Sequence, residues 1–172
     1  DNPKQTMISV NERFEPHQDL DSFHTSDDAV QMGLQAGTHW DGLCHASYGG
    51  HVYNGYAATT VTNEDGATRC GIERVKSLCS RGILLDVARA HGVDLLDCPY
   101  AITPEDLERA SALGSIEVRS GDIVLVRTGR MAIYHAEGGL AYSLGPGGDG
   151  SNAGLSIATA EWFHEKEVAA VA

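Results

Sequence analysis

The second half of the chain alternates short apolar runs with polar turns. Residues 82–88 and 122–128 are apolar almost throughout, and this pattern predicts two strands buried on both faces. A third apolar run, residues 168–172, indicates the beginning of another strand. Strand and helix patterns follow one another here, which favours an α/β layered domain.

Helical patterns lie between these strands. The clearest spans residues 103–113, with Thr103 as the predicted cap and Gly114 at the end. A second helix is predicted over residues 156–167, capped by Ser156. A glycine-rich stretch, residues 144–154, predicts a loop that is either a lid over a site or plainly mobile.

Weaker patterns fill the first half of the chain. Residues 7–10 and 29–35 are predicted as strands, and the polar stretch 19–28 between them as a loop with His24 in solvent. A turn is predicted at residues 63–66 and a short helix at 72–78.

Side chains that can bind a metal or transfer a proton are concentrated in residues 37–45, which contain His39, Asp41 and His45. Side chains two apart in an extended segment project to the same side, and side chains four apart share a helical face. The three groups can therefore converge on one point, where imidazole and carboxylate suit zinc or manganese. The alternative is an ordinary hydrogen bond at the surface.

Aromatic side chains gather around the same stretch, although aromatic residues make up only 6% of the chain. Trp40, Tyr48, Tyr53 and Tyr56 lie among several glycines. Such a segment is typical of a site for a planar organic molecule, and also of a small aromatic core.

Composition excludes several classes of function. The 172 residues are 42% hydrophobic and carry a formal net charge of −12, which argues against nucleic acid and anionic membranes as partners. No apolar run has the length of a membrane helix, and no leader peptide is recognised. The four cysteines lack paired spacing and are expected to be reduced, as in a cytoplasmic protein. A Cys44–His45 nucleophile is an open alternative.

Two polar residues in the predicted strands are further candidates. Asp86 lies within an apolar run and is costly to bury alone, so it either supports a metal ligand or pairs with Arg81 or Arg89. Arg127 follows a predicted strand, at the position where α/β proteins bind ligands, and is equally a candidate for a surface arginine.

The motif Gly-Thr-His-Trp-Asp at residues 37–41, followed by His45, resembles the metal-dependent cyclase family, which includes bacterial kynurenine formamidase and isatin hydrolase. That family's signature is His-x-Gly-Thr-His-x-Asp-x-Pro-x-His. Further similarity lies in residues 48–56, 81–89, 102–107 and 121–129. The resemblance implies a swivelling β/β/α fold, assembled as a homodimer or homotetramer.

The resemblance also implies a function: hydrolysis of an amide, lactam or lactone in a small, aromatic substrate. It assigns His39 and Asp41 as ligands of Mn²⁺ or Zn²⁺, and His45 as the catalytic histidine. The expected substrate-binding residues are Gln35, Trp40, Tyr48 and His51, although His51 is also interpretable as a surface residue. The alternatives are a cyclase or dehydratase using the same site, and a degenerate member without catalysis.

Two departures from the family pattern affect these expectations. Gln35 takes the place of the signature's first histidine, and its amide oxygen favours manganese over zinc. Later family ligands have no counterpart before Ala172. The sequence is therefore interpreted as one domain, residues 1–172, incomplete at both ends, with its C-terminal part missing.

Overall fold

The computed structural model describes residues 3–13, 21 and 23–172. The chain divides into two compact units, Asp1–Ser77 and Leu78–Ala172, and each is described by itself. The interpretation of residues 1–172 as one domain stays a prediction.

The first unit contains two antiparallel pairs of strands. Strands β1 (Lys4–Arg13) and β2 (His24–Gln31) form a ribbon with register shifts at two points of β1, and β3 (Val61–Thr62) pairs with β4 (Gly66–Ala67). The predicted strand at 7–10 and the predicted turn at 63–66 are confirmed. The other described residues of this unit form irregular backbone and four single 3₁₀ turns, at Leu34–Ala36, Tyr53–Gly55, Ala58–Thr60 and Ile72–Arg74.

Three predictions for this unit were wrong in part. Residues 24–28 of the predicted loop belong to β2, because β1 supplies hydrogen-bond partners that outweigh weak local preference. His24 is accordingly half-buried in a strand. The strand predicted over 29–35 ends at Gln31, and the helix predicted over 72–78 is one short turn. Residues 19, 20 and 22 lie outside the described residues.

The second unit is an α/β layer around a parallel sheet. Its elements in chain order are β5 (Gly82–Asp86), α1 (Val87–Ala90), β6 (Ala101–Ile102), α2 (Pro104–Gly114), β7 (Ile123–Arg127), α3 (Met131–Glu137), α4 (Gly139–Leu144), β8 (Gly154–Leu155), α5 (Thr159–Glu165) and β9 (Ala170–Val171). The sheet has the order β5-β7-β9, and a second parallel pair joins β6 to β8. The predicted α/β class is confirmed.

The core of this unit lies on one face of the sheet. Leu85, Val124, Ile102 and Leu107 are completely buried there. The strands alternate, however: Leu84 is 51% exposed, because its side chain projects from the opposite face. The prediction of burial on both faces of residues 82–88 and 122–128 was wrong, and residues 87 and 88 belong to α1.

Helix α2 has the predicted start. Thr103 accepts a hydrogen bond from the Asp106 backbone, and the Asp106 carboxylate accepts one from the Thr103 backbone, forming a capping box. The predicted cap of α5 was wrong, since the helix begins after Ala158 and the Ser156 side chain makes no cap bond. None of the helices in the described ranges has the length and apolar character needed to cross a bilayer.

Candidate functional site

Two tight turns of the backbone position the candidate residues. After the turn at Leu34–Ala36 the chain is extended at Gly37 and turns again where the His45 amide donates to the Gly42 carbonyl at 2.8 Å. A side chain at Gly42 would lie 3.0 Å from the Ile72 amide nitrogen and close to further backbone. Glycine therefore lets the turn pack against the neighbouring loop, since backbone atoms cannot move aside as a side chain can.

Three side chains meet at one oxygen, Asp41 Oδ1. His39 Nε2 lies 3.2 Å from this atom, and His45 Nδ1 lies 3.8 Å from it. The Gln35 amide Nε2 donates to the same oxygen at 3.2 Å, because a carboxylate only accepts. The structure therefore brings together four of the residues singled out in the sequence.

The tautomer of His39 is fixed by its own backbone. Its Nδ1 lies 2.6 Å from the Gly37 carbonyl oxygen, an acceptor, so Nδ1 carries the hydrogen. In neutral imidazole Nε2 then presents a lone pair, and this lone pair faces the acceptor Asp41 Oδ1. Two acceptors at 3.2 Å repel unless a proton or a cation lies between them.

The donors fit part of a metal site. Neutral imidazole with its other nitrogen bound to a carbonyl is the usual form of a histidine ligand. Two ligands about 2.1 Å from one ion at a tetrahedral angle lie about 3.4 Å apart, close to the 3.2 Å separation of His39 Nε2 and Asp41 Oδ1. No group of three or more His, Cys, Asp or Glu residues arranged to hold a metal occurs in residues 3–13, 21 and 23–172. His39 and Asp41 thus fit as a pair of ligands that needs further donors.

The site is open to solvent. The side chains of His39, Asp41 and His45 are 29%, 48% and 55% exposed. Such exposure lets His45 exchange protons with water. It also leaves room for a ligand or another polypeptide.

The other predicted substrate-binding residues are exposed as well. Trp40 is 42% exposed and Tyr48 is 94% exposed. His51 pairs through its backbone with Tyr48, and its Nδ1 lies 2.9 Å from the Gly49 carbonyl, so its free nitrogen is also Nε2. Contact of these three residues with a substrate stays a prediction.

All four cysteines are free. Cys70 Sγ lies 3.9 Å from the Tyr53 carbonyl oxygen. Within the described ranges no hydrogen bond joins the Cys44 thiol to His45, so the alternative of an activated thiolate gains no support.

The structural pairing predicted for Asp86 is confirmed in part, since Arg89 is one of its partners and Arg81 is not. Its carboxylate binds the Arg127 guanidinium at 2.8 Å and the Arg89 backbone amide at 3.0 Å, while Arg81 pairs with Asp122 at 2.6 Å. The pairing of Arg127 with Asp86 was missed, because the strand containing Asp86 was predicted to continue to residue 88, whereas β5 ends at Asp86, opposite Arg127 in β7.

Comparison with known proteins places these residues in a family. The family model described as "Putative cyclase" matches residues 4–172. A solved structure, that of a novel cyclase, is 32% identical and superposes with a TM-score of 0.81. The match covers 98% of this chain and 57% of that protein, so the chain spans little more than half the length of this relative. No curated protein matches it. Over almost all of its length, then, this chain is a member of the cyclase family, with that family's α/β fold.

Proposed function

We propose that the chain carries the metal- and proton-handling residues of a metal-dependent hydrolase, which cleaves an amide, lactam or lactone. One observation carries the proposal: His39 Nε2 lies 3.2 Å from Asp41 Oδ1, while the other ring nitrogen lies 2.6 Å from the Gly37 carbonyl oxygen. Membership of the cyclase family supports an enzyme. The hydrolytic reaction and the metal are inferences from the donor set.

His39 and Asp41 would hold a zinc or manganese ion with donors from outside this pair. When bound, such an ion supplies Lewis acidity, which polarises an acyl carbonyl and makes water a better nucleophile. Gln35 holds the Asp41 carboxylate in place through its N–H donor. The Gly37 carbonyl holds the His39 ring in the tautomer that leaves Nε2 free.

His45 is suited to transfer a proton. Its Nδ1 lies 3.8 Å from Asp41 Oδ1, and the ring is more than half exposed. It accepts a proton from the attacking water and returns it to the departing nitrogen or oxygen, and the Asp41 carboxylate stabilises the imidazolium between these steps.

The exposed aromatic residues favour a substrate with a planar group. Trp40 follows His39 directly, and Tyr48 is almost fully exposed. Aromatic side chains left in solvent next to polar donors are typical of sites that bind such molecules. A homodimer or homotetramer, as expected from the family, would also cover them.

Metal binding and turnover of the whole chain test this proposal. We expect zinc or manganese to bind, measured by titration calorimetry and elemental analysis, and N-formyl aromatic amines or small lactones to be hydrolysed. Asp41→Asn should weaken metal binding at least about tenfold. His45→Gln should keep the metal and lower kcat by about 10²-fold or more.

His164→Gln is the matched control, since His164 is exposed on α5 in the other unit and should leave both measurements unchanged. Metal binding and turnover that survive in both Asp41→Asn and His45→Gln would exclude the mechanism. Absence of metal binding would favour the non-catalytic alternative. The incomplete set of metal ligands in the described residues already supports that alternative.

A further inference from the structure

A polar cleft lies far along the chain from the residues around Asp41. It has a volume of about 420 Å³ and belongs entirely to the unit Leu78–Ala172. Its lining comes from the ends of β5 and β7, from α1 and from the loop after α1, namely Asp86, Arg89, Gly92, Val93, Asp94 and Arg127. The carboxyl ends of parallel strands are where open α/β sheets form ligand crevices.

The walls of this cleft are held together by specific contacts. Arg127 donates through Nη1 to Asp86 Oδ1 at 2.8 Å and through Nη2 to the Asp94 carbonyl at 3.2 Å. Gly129 has a φ of +84°, and a side chain there would lie 2.0 Å from the same carbonyl. The loop with Asp94 therefore packs directly against the end of β7, and the cleft is formed before any ligand binds.

Two charged groups in the cleft have no direct partner among the residues that the structure describes. Asp86 and Arg127 neutralise each other. The Arg89 guanidinium and the Asp94 carboxylate are exposed and take part in no hydrogen bond or ion pair within the described part of the chain, and Arg89 attracts Asp86 only at longer range. The cleft thus presents one available cation and one available anion, with 44%-exposed Val93 beside Asp94.

We propose that this cleft binds a small zwitterion of the amino-acid type, with its carboxylate at Arg89 and its ammonium at Asp94. A guanidinium offers paired donors that match a carboxylate. A simple anion would be repelled by Asp94 and by a chain of net charge −12, and a simple cation would be repelled by Arg89 and would leave its guanidinium without a partner. The apolar surface of Val93 suits the side chain of such a ligand.

Amide NMR of the labelled whole chain tests the proposal, with L-alanine as the probe. Titration up to about 10 mM, enough to detect a Kd near 1 mM, should shift the amides of Gly92, Val93 and Asp94. Acetate and methylammonium each match only half of the site and should bind at least about tenfold more weakly. Arg89→Gln and Asp94→Asn should each raise the Kd for L-alanine at least about tenfold.

Glu165→Gln is the control, since this exposed residue of α5 is not in the cleft lining. Absence of shifts with L-alanine would overturn the proposal, as would equal shifts with acetate or binding unchanged in both cleft variants. The experiment uses neither metal nor turnover, so its result is independent of the hydrolase proposed above.

Discussion

At the scale of single residues, the carboxylate of Asp41 is the central group. One oxygen meets His39, His45 and Gln35. Because Gln35 donates a hydrogen bond to this oxygen, it orients a ligand of the proposed metal. The histidine that the family signature has at this position would offer a lone pair instead.

Substitution of Gln35 should therefore change metal affinity. Gln35→Ala removes the donor and should weaken zinc binding by about tenfold, the loss typical when a metal ligand loses its supporting hydrogen bond. Gln35→His supplies an additional imidazole and should strengthen it. Titration calorimetry measures both, with Gln31→Ala at the exposed end of β2 as the control. Affinities equal to that of the unchanged chain in both variants would contradict the assigned role.

At the scale of elements, the start of α2 depends on one buried carboxylate. Asp106 accepts hydrogen bonds from the Thr103 backbone, from the Tyr100 hydroxyl at 3.0 Å and from His91 Nε2 at 2.7 Å. Burial acts to raise the pKa of Asp106, but these hydrogen bonds outweigh it and lower the pKa. The group thus joins the end of α1 to the start of α2 as an ionised side chain.

Asp106→Asn should destabilise this unit by about 1–3 kcal/mol. The side-chain NH₂ group of the asparagine would then face the hydrogen-bond donors that the Asp106 carboxylate accepts from. Urea unfolding followed by circular dichroism measures the change. Glu105→Gln, in the same turn but exposed, should change the free energy of unfolding by less than about 0.5 kcal/mol. Equal effects of the two substitutions would show that the capping box contributes little.

At the scale of the whole molecule, paired carboxylates set the response to acid. The side-chain hydrogen bond from Arg81 lowers the pKa of buried Asp122 from 3.8 to about 2, against the effect of burial. The pKa of Asp86 is also lowered: burial opposes this, and hydrogen bonds from Arg89 and Arg127 outweigh burial. A carboxyl whose pKa is lower in the folded state stabilises that state above its unfolded pKa, and loses this contribution as the pH falls towards its folded pKa.

The chain should therefore lose stability between about pH 4 and pH 2. Asp122→Asn should lower the urea midpoint at pH 6, and its difference from the unchanged chain should shrink towards pH 2, where the carboxylate is being protonated. Asp97→Asn, at an exposed position, should leave the pH profile unchanged. A difference that stays constant from pH 6 to pH 2 would rule out this origin.

The sequence predicted well where local chemistry decides the structure. Thr103 and Pro104 predicted the start of α2. The spacing of His39, Asp41 and His45 predicted that their side chains come close together. It failed where distant partners decide: β2 forms because β1 pairs with it, and Arg127 finds Asp86 only because β5 and β7 are neighbours in the sheet. An apolar run such as residues 82–88 likewise does not reveal that one face of its strand is exposed to solvent.

The position of β7 between β5 and β9 has a consequence for folding. Two helices and β6 separate β5 from β7, and three helices and β8 separate β7 from β9, so every ladder of this sheet joins residues that are distant in sequence. Such pairings slow folding, because the chain loses loop-closure entropy before the contacts between the strands stabilise it. Refolding of this unit should consequently lag well behind that of a helical bundle of equal length, and stopped-flow fluorescence of Trp162, in its core, would report it.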